Sequence, residues 1–157
     1  MANKEIKIAY REYDNIDQLG SCEKELAQAA IEAIQGSYAP FSHFNVGAAV
    51  RLDDGEIIKG ANQENVAYPS GICAERTALF YAGASRPGKA AVSIAIAASQ
   101  NGTLCAKPIS PCGACRQVMV QSQIKGGKPI SVILIGAEKI CVLDNVYDLL
   151  PFTFDSL

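Results

Sequence analysis

The sequence predicts an α/β domain of three layers, α/β/α, with a central mixed β-sheet. Three observations carry this. Phe44–Leu52 and Glu56–Lys59 are strand-like runs joined by Asp53-Asp54-Gly55, the chemistry of a hairpin turn. Val92–Ala98 and Ile130–Ile135 are apolar runs, each interrupted by a single serine (Ser93, Ser131) and without polar alternation, as strands covered on both faces require. Helical segments alternate with these strands, and alternation of that kind builds layered sheets.

Taken in order, residues 5–13 suggest a short strand that leaves through the polar stretch Asn15–Gly20. A helix follows, with Ser21 as its expected N-cap, Leu26, Ala30 and Ile34 on one face, and Gly36 as its stop. The hairpin comes next, then a long polar loop over residues 60–71. A second helix is expected over Ile72–Ala84, closed by Gly83, Pro87 and Gly88. After the Val92–Ala98 strand, a loop over Ser99–Pro111 leads to a third helix, Cys112–Gln123. The strand Ile130–Ile135 and a helical turn over Val146–Leu150 complete the series. No repeat or low-complexity segment interrupts it, so residues 1–157 are read as one domain with an N-terminal extension over 1–20.

Composition narrows the function. The 157 residues are 49% hydrophobic and 19% charged, ordinary for a globular protein, and the net charge is −2. Lys and Arg are scattered, and a nucleic-acid backbone needs a basic stripe that is missing here. A small molecule is the expected partner, with no nucleic acid and no membrane. Ala90–Ala98 is the most apolar stretch, about half of the roughly 20 residues a membrane span needs. The first ten residues lack the apolar core of a secretion signal, so the chain reads as cytoplasmic.

Six cysteines in such a chain call for metal or redox chemistry before disulfides. The one histidine, His43, excludes zinc sites built on several imidazoles. Cys112 and Cys115 form a C-x-x-C pair, and Cys73 stands alone with Glu75 close by. A structural zinc site wants four protein ligands, whereas three ligands and an open position describe a catalytic zinc. Both cysteine groups fall at expected helix starts, where unpaired N–H groups and the helix dipole favour thiolates. Three thiolates on Zn²⁺ leave a net charge of −1, and Arg76 and Arg116 are placed to offset it by hydrogen-bonding the sulfurs. Glu75, two residues past Cys73, would not share a helical face with it, so the two must converge around the helix start. Cys22, Cys105 and Cys141 read as small packing residues.

Four ordered motifs then point to one family: Tyr38–Ala49 (YAPFSHFNVGAA), Asn62–Asn65 (NQEN), Cys73–Arg76 (CAER) and Pro111–Gln117 (PCGACRQ). With the Cys-x-Glu…Pro-Cys-x-x-Cys arrangement, a three-cysteine form of the zinc nucleobase-deaminase signature, the chain resembles the small cytidine deaminases from about Ser21 to Phe154. That resemblance implies the deaminase fold, one Zn²⁺ per subunit, and deamination of cytidine and deoxycytidine in pyrimidine salvage. It implies Cys73, Cys112 and Cys115 as ligands and Glu75 as the proton shuttle. Asn62 and Glu64 would bind the ribose, Phe44 would pack on the base, and the Ala74 backbone would hold the pyrimidine. Phe154 would close a neighbouring subunit's site in a homotetramer. Phe41, Val66 and the loop around Asn101–Cys105 depart from the family's usual pattern at the pocket rim. A blasticidin S-type deaminase shares the metal motifs but not Asn62-Gln63-Glu64-Asn65. A non-catalytic zinc module leaves Glu75 unexplained, and a C-x-x-C redox protein leaves Cys73 unexplained.

Overall fold

A computed structural model describes residues 1–156. Its centre is one seven-stranded mixed sheet, with strands β1 (Arg11–Tyr13), β2 (Phe44–Leu52), β3 (Ile57–Ala61), β4 (Ala91–Gln100), β5 (Thr103–Leu104), β6 (Ser131–Ile135) and β7 (Ile140–Leu143). The order is β1-β7-β6-β4-β2-β3, and β5 pairs with the end of β4. Only β4 and β6 run parallel; the other pairings are antiparallel. Helix α1 (Ser21–Ala33) packs on one face, and α2 (Ala74–Ser85) and α3 (Gly113–Gly126) pack on the other. The expected three layers are present. No helix among the described residues is long and apolar enough to cross a membrane.

The apolar stretch Ile94–Ala97 of β4 alternates in size. Ile94 and Ile96 face α2 and α3 with Val132, Leu134 and Met119, while Ala95 and Ala97 face α1 with Ala27, Ala30 and Ala49. Small residues on the α1 side let the helix backbone approach the sheet. A Cβ at Gly47 would lie 2.2 Å from the Ala30 carbonyl oxygen and 2.5 Å from Ile34 N. Backbone on both sides cannot yield, so Gly47→Ala is expected to destabilise the fold by about 1–3 kcal/mol or more. A fall in the denaturation midpoint at unchanged slope measures it.

The two core strands and all three helices fall where the sequence places them, with shifted ends. The N-cap of α1 is Gly20, not Ser21, because the Glu23 carboxylate accepts from Gly20 N at 3.3 Å. Helix α2 begins at Ala74 and α3 runs on to Gly126, ended by Gly127 at φ 64°. The first strand covers only Arg11–Tyr13, since β7 offers partners to those residues alone. Strands β5 and β7 were not anticipated; each pairs in short antiparallel register with a longer strand that supplies most of its stability. Cys141 packs against the core as expected, but Cys22 is exposed near the start of α1, outside both core clusters.

Candidate metal centre and active-site cavity

Helices α2 and α3 start beside each other, and each start carries a cysteine as N-cap. Cys73 (φ −76°, ψ 154°) and Cys112 (φ −66°, ψ 165°) have extended backbones, while their carbonyls accept the first helical bonds, from Thr77 N and Arg116 N at 3.0 Å each. Cys115 stands in the first turn of α3, fully buried. The three Sγ atoms lie within 4.8 Å of one another, with Cys112 and Cys115 3.4 Å apart. Tetrahedral zinc with Zn–S near 2.3 Å needs sulfurs about 3.8 Å apart. The donor set fits zinc in number, type and spacing.

Charge around the cluster is arranged for thiolates. Cys73 is drawn well below the ordinary thiol range by its hydrogen bond with Cys115 and by Arg76, whose Nη2 sits 3.7 Å from the Cys73 sulfur. Two helix N-termini add their partial positive charge. Arg76 Nε is buried with no hydrogen-bond partner among the described residues, so this guanidinium is held for its charge at the sulfurs. Arg116 behaves differently. Its guanidinium donates to the Pro111 and Leu149 carbonyl oxygens, both at 2.8 Å, because the short turn over Val146–Leu149 packs on α3 at that point. It braces the entry to α3 instead of touching sulfur.

Beside the cluster opens a cavity of about 670 Å³ that Cys73, Glu75, Arg76 and Cys112 line together with Phe44, Asn62 and Glu64. The extended N-cap brings Cys73 and Glu75 to the same wall, which answers the helical-face mismatch between them. Glu75 is 5% exposed, and burial, followed by the negative charge at Cys73, pushes its carboxyl above the usual range. A shift in that direction suits a group that must both take and give a proton. Ile72, Ile96 and Ile109 supply apolar wall.

The polar side of the cavity is tightly held. Asn62 Oδ1 accepts from Ser37 Oγ at 2.5 Å and Val46 N at 2.8 Å, while Nδ2 donates to the Phe44 carbonyl at 2.9 Å. One Nδ2 hydrogen is left for a ligand. Glu64 accepts from the Ser42 hydroxyl and from Phe41 N at 2.8 Å and Ser42 N at 3.3 Å. These donors, Ser42 first, hold its carboxylate below the ordinary range. Ser37 and Ser42 carry no role in the sequence reading, although Ser42 lies inside the Tyr38–Ala49 motif. Among the described residues, neither Ala74 nor Phe154 lines the cavity: Ala74 is fully buried at the first position of α2, and Phe154 is exposed, its carbonyl accepting from Gln117 Nε2 at 2.7 Å.

Comparison with known proteins gives the same answer. Residues 21–127 match the cytidine and deoxycytidylate deaminase zinc-binding region. The chain is 48% identical over 96 residues to the cytidine deaminase of Halalkalibacterium halodurans, covering 61% of this chain and 68% of that one. It is 34% identical over 140 residues to the probable cytidine deaminase of Dictyostelium discoideum, covering 89% and 86%. The crystal structure of cytidine deaminase from Burkholderia pseudomallei superposes with a TM-score of 0.67 at 43% identity, over 83% of this chain and 97% of that one. The one from Mycobacterium tuberculosis gives 0.68 at 32% identity, over 85% and 98%. Zinc is the metal that the matched region binds, and with its three-thiolate cluster at paired helix starts this chain belongs to the zinc-dependent cytidine and deoxycytidylate deaminase family.

Proposed function

We propose that the protein hydrolyses cytidine and deoxycytidine to uridine and deoxyuridine with release of ammonia, a pyrimidine-salvage reaction in the cytoplasm. The observation that carries this is the placement of Glu75, Cys73, Cys112, Asn62 and Glu64 on one cavity large enough for a nucleoside, with the buried Cys115 completing the sulfur cluster beside it.

Cys73, Cys112 and Cys115 would hold the zinc. Bound there, zinc supplies the Lewis acidity that makes water nucleophilic near neutral pH. Glu75 takes one proton from the attacking water and delivers it to N3 of the pyrimidine. It then takes the second proton from the hydroxyl now on C4 and passes it to the C4 amino group, so that the C4–N bond breaks, the C4 carbonyl forms and ammonia leaves. Burial in the wall of the cavity keeps this carboxyl from bulk water and raises its pKa above the ordinary carboxylate range, the direction that a proton shuttle needs. Phe44, half-buried at the start of β2 and lining the cavity, packs against the base. Arg76 keeps the thiolate cluster from carrying an unbalanced negative charge.

Glu64 and Asn62 bind ribose hydroxyls. Glu64 arrives ionised and fixed by Ser42 and Phe41, so little ordering is left for substrate to impose. Glu64→Gln is expected to raise KM for cytidine roughly tenfold or more with a smaller change in kcat, the mark of a lost binding contact. Steady-state kinetics on both nucleosides checks this. Among the described residues, Arg76 is the one cationic side chain lining the cavity, and it is engaged with Cys73, so a 5′-phosphate finds no partner.

Exposed apolar side chains crowd the mouth of the cavity, among them Phe41 and Tyr68 at 52% and 81% exposure, and Phe152 and Phe154 are exposed on the C-terminal segment. These support a homotetramer in which Phe154 of one subunit closes the cavity of another. Ammonia release from cytidine, deoxycytidine and cytidine 5′-monophosphate tests the reading. Turnover of both nucleosides with the nucleotide at least about 100-fold poorer is expected. Preference for the nucleotide, or for blasticidin S over cytidine, would overturn the ribose assignment.

A further inference from the structure

Strand β1 sits at the edge of the sheet, paired with β7 on one side and with nothing among the described residues on the other. The chain before it, residues 1–10, is exposed throughout and outside any strand. Yet it alternates as a strand does: Ile6, Ile8 and Tyr10 stand two apart at 56%, 48% and 58% exposure, with Lys7 and Ala9 between them. A free, apolar, strand-like edge is an invitation to pair with another strand.

The segment is complementary to itself. We propose that residues 4–12 pair antiparallel with the same residues of a second copy, about a twofold axis through Ile8, joining two sheets edge to edge. In that register Lys4 opposes Glu12, Glu5 opposes Arg11, Ile6 opposes Tyr10 and Ile8 opposes itself. Each charged pair has opposite signs, and the apolar pairs share one face. The neighbouring symmetric registers fail. A twofold at Lys7 puts Lys7 on Lys7, and a twofold at Ala9 puts Lys7 on Arg11. Cross-strand pairs of opposite charge and of apolar residues stabilise antiparallel ladders, and like charges directly opposite destabilise them. The symmetry is that of an isologous contact. Arg11 and Glu12 remain about half exposed while bonded to Glu23, Asp144 and Lys139, so each can take a further partner from the second copy. The segment lies outside the cavity, and this contact is independent of the reaction assigned to it.

Cysteine cross-linking of the zinc-loaded full chain tests the register, in a Cys22→Ser background because Cys22 is exposed. Ile8→Cys, which faces its own copy across the axis, is expected to form a covalent dimer under mild oxidation. Ala9→Cys, offset from the axis, is expected to cross-link at least about tenfold more slowly. Adding Glu5→Arg to Ile8→Cys places arginine opposite Arg11 twice and should slow the cross-link about tenfold. Equal cross-linking at positions 8 and 9, none at either, or indifference to Glu5→Arg overturns the proposal. Unchanged cytidine turnover in the same samples verifies that the variants are folded.

Discussion

Glu75→Gln is expected to lower kcat for cytidine by about 10²–10⁴-fold, the range that a positioned proton shuttle contributes. The amide keeps the shape of the buried side chain but can neither take a proton from water nor return one to N3. Zinc content is expected to stay at one ion per chain, because Glu75 is not part of the three-sulfur cluster. The pairing of these two results is informative. Lost activity with retained metal assigns the residue to proton transfer, whereas lost activity with lost metal would make it a ligand or a support of the ligands. KM is expected to change far less than kcat, since the cavity walls and the ribose contacts are untouched.

Loss of the metal has the other large effect. Cys115→Ser, or stripping with a chelator, is expected to abolish turnover and lower the melting temperature. Cys115 is fully buried at the meeting point of α2 and α3, so an empty site leaves sulfurs as close as 3.4 Å with no cation between them. A metal present at about 1,000 times its Kd stabilises the folded state by roughly 4 kcal/mol. At about 2–4 °C per kcal/mol for a chain of this size, Tm should fall by roughly 10 °C. Calorimetry with and without zinc measures it, and full recovery of Tm and turnover on adding zinc is expected. The sheet and its two apolar faces do not depend on the ion, so the stripped protein should melt cooperatively rather than be unfolded.

Much of this site could be read from the chain because its signals are local. Cys73 and Cys112 both precede helices, and the hairpin that carries Phe44 at its start has bounds close to those expected. What escaped depends on contacts between distant segments. Arg116 follows a ligand in sequence, but its partners are set by Leu149, 33 residues on. Ser37 and Ser42 act through Asn62 and Glu64, 25 and 22 residues away, and a lone serine carries no periodic signal. Strand β7 is four residues long and is defined by β6 and β1 on either side. The size alternation in β4 was present in the sequence, but Ala and Ile both count as apolar, so it was visible only once α1 was seen to approach Gly47.

The most direct test of the central claim is the ultraviolet absorbance of cytidine mixed with the purified, zinc-loaded protein. Conversion to the uridine spectrum, with one ammonia per nucleoside, is the result expected from a buried carboxyl and a three-thiolate metal site on one nucleoside-sized cavity. An unchanged cytidine spectrum from protein carrying a full complement of zinc would contradict it.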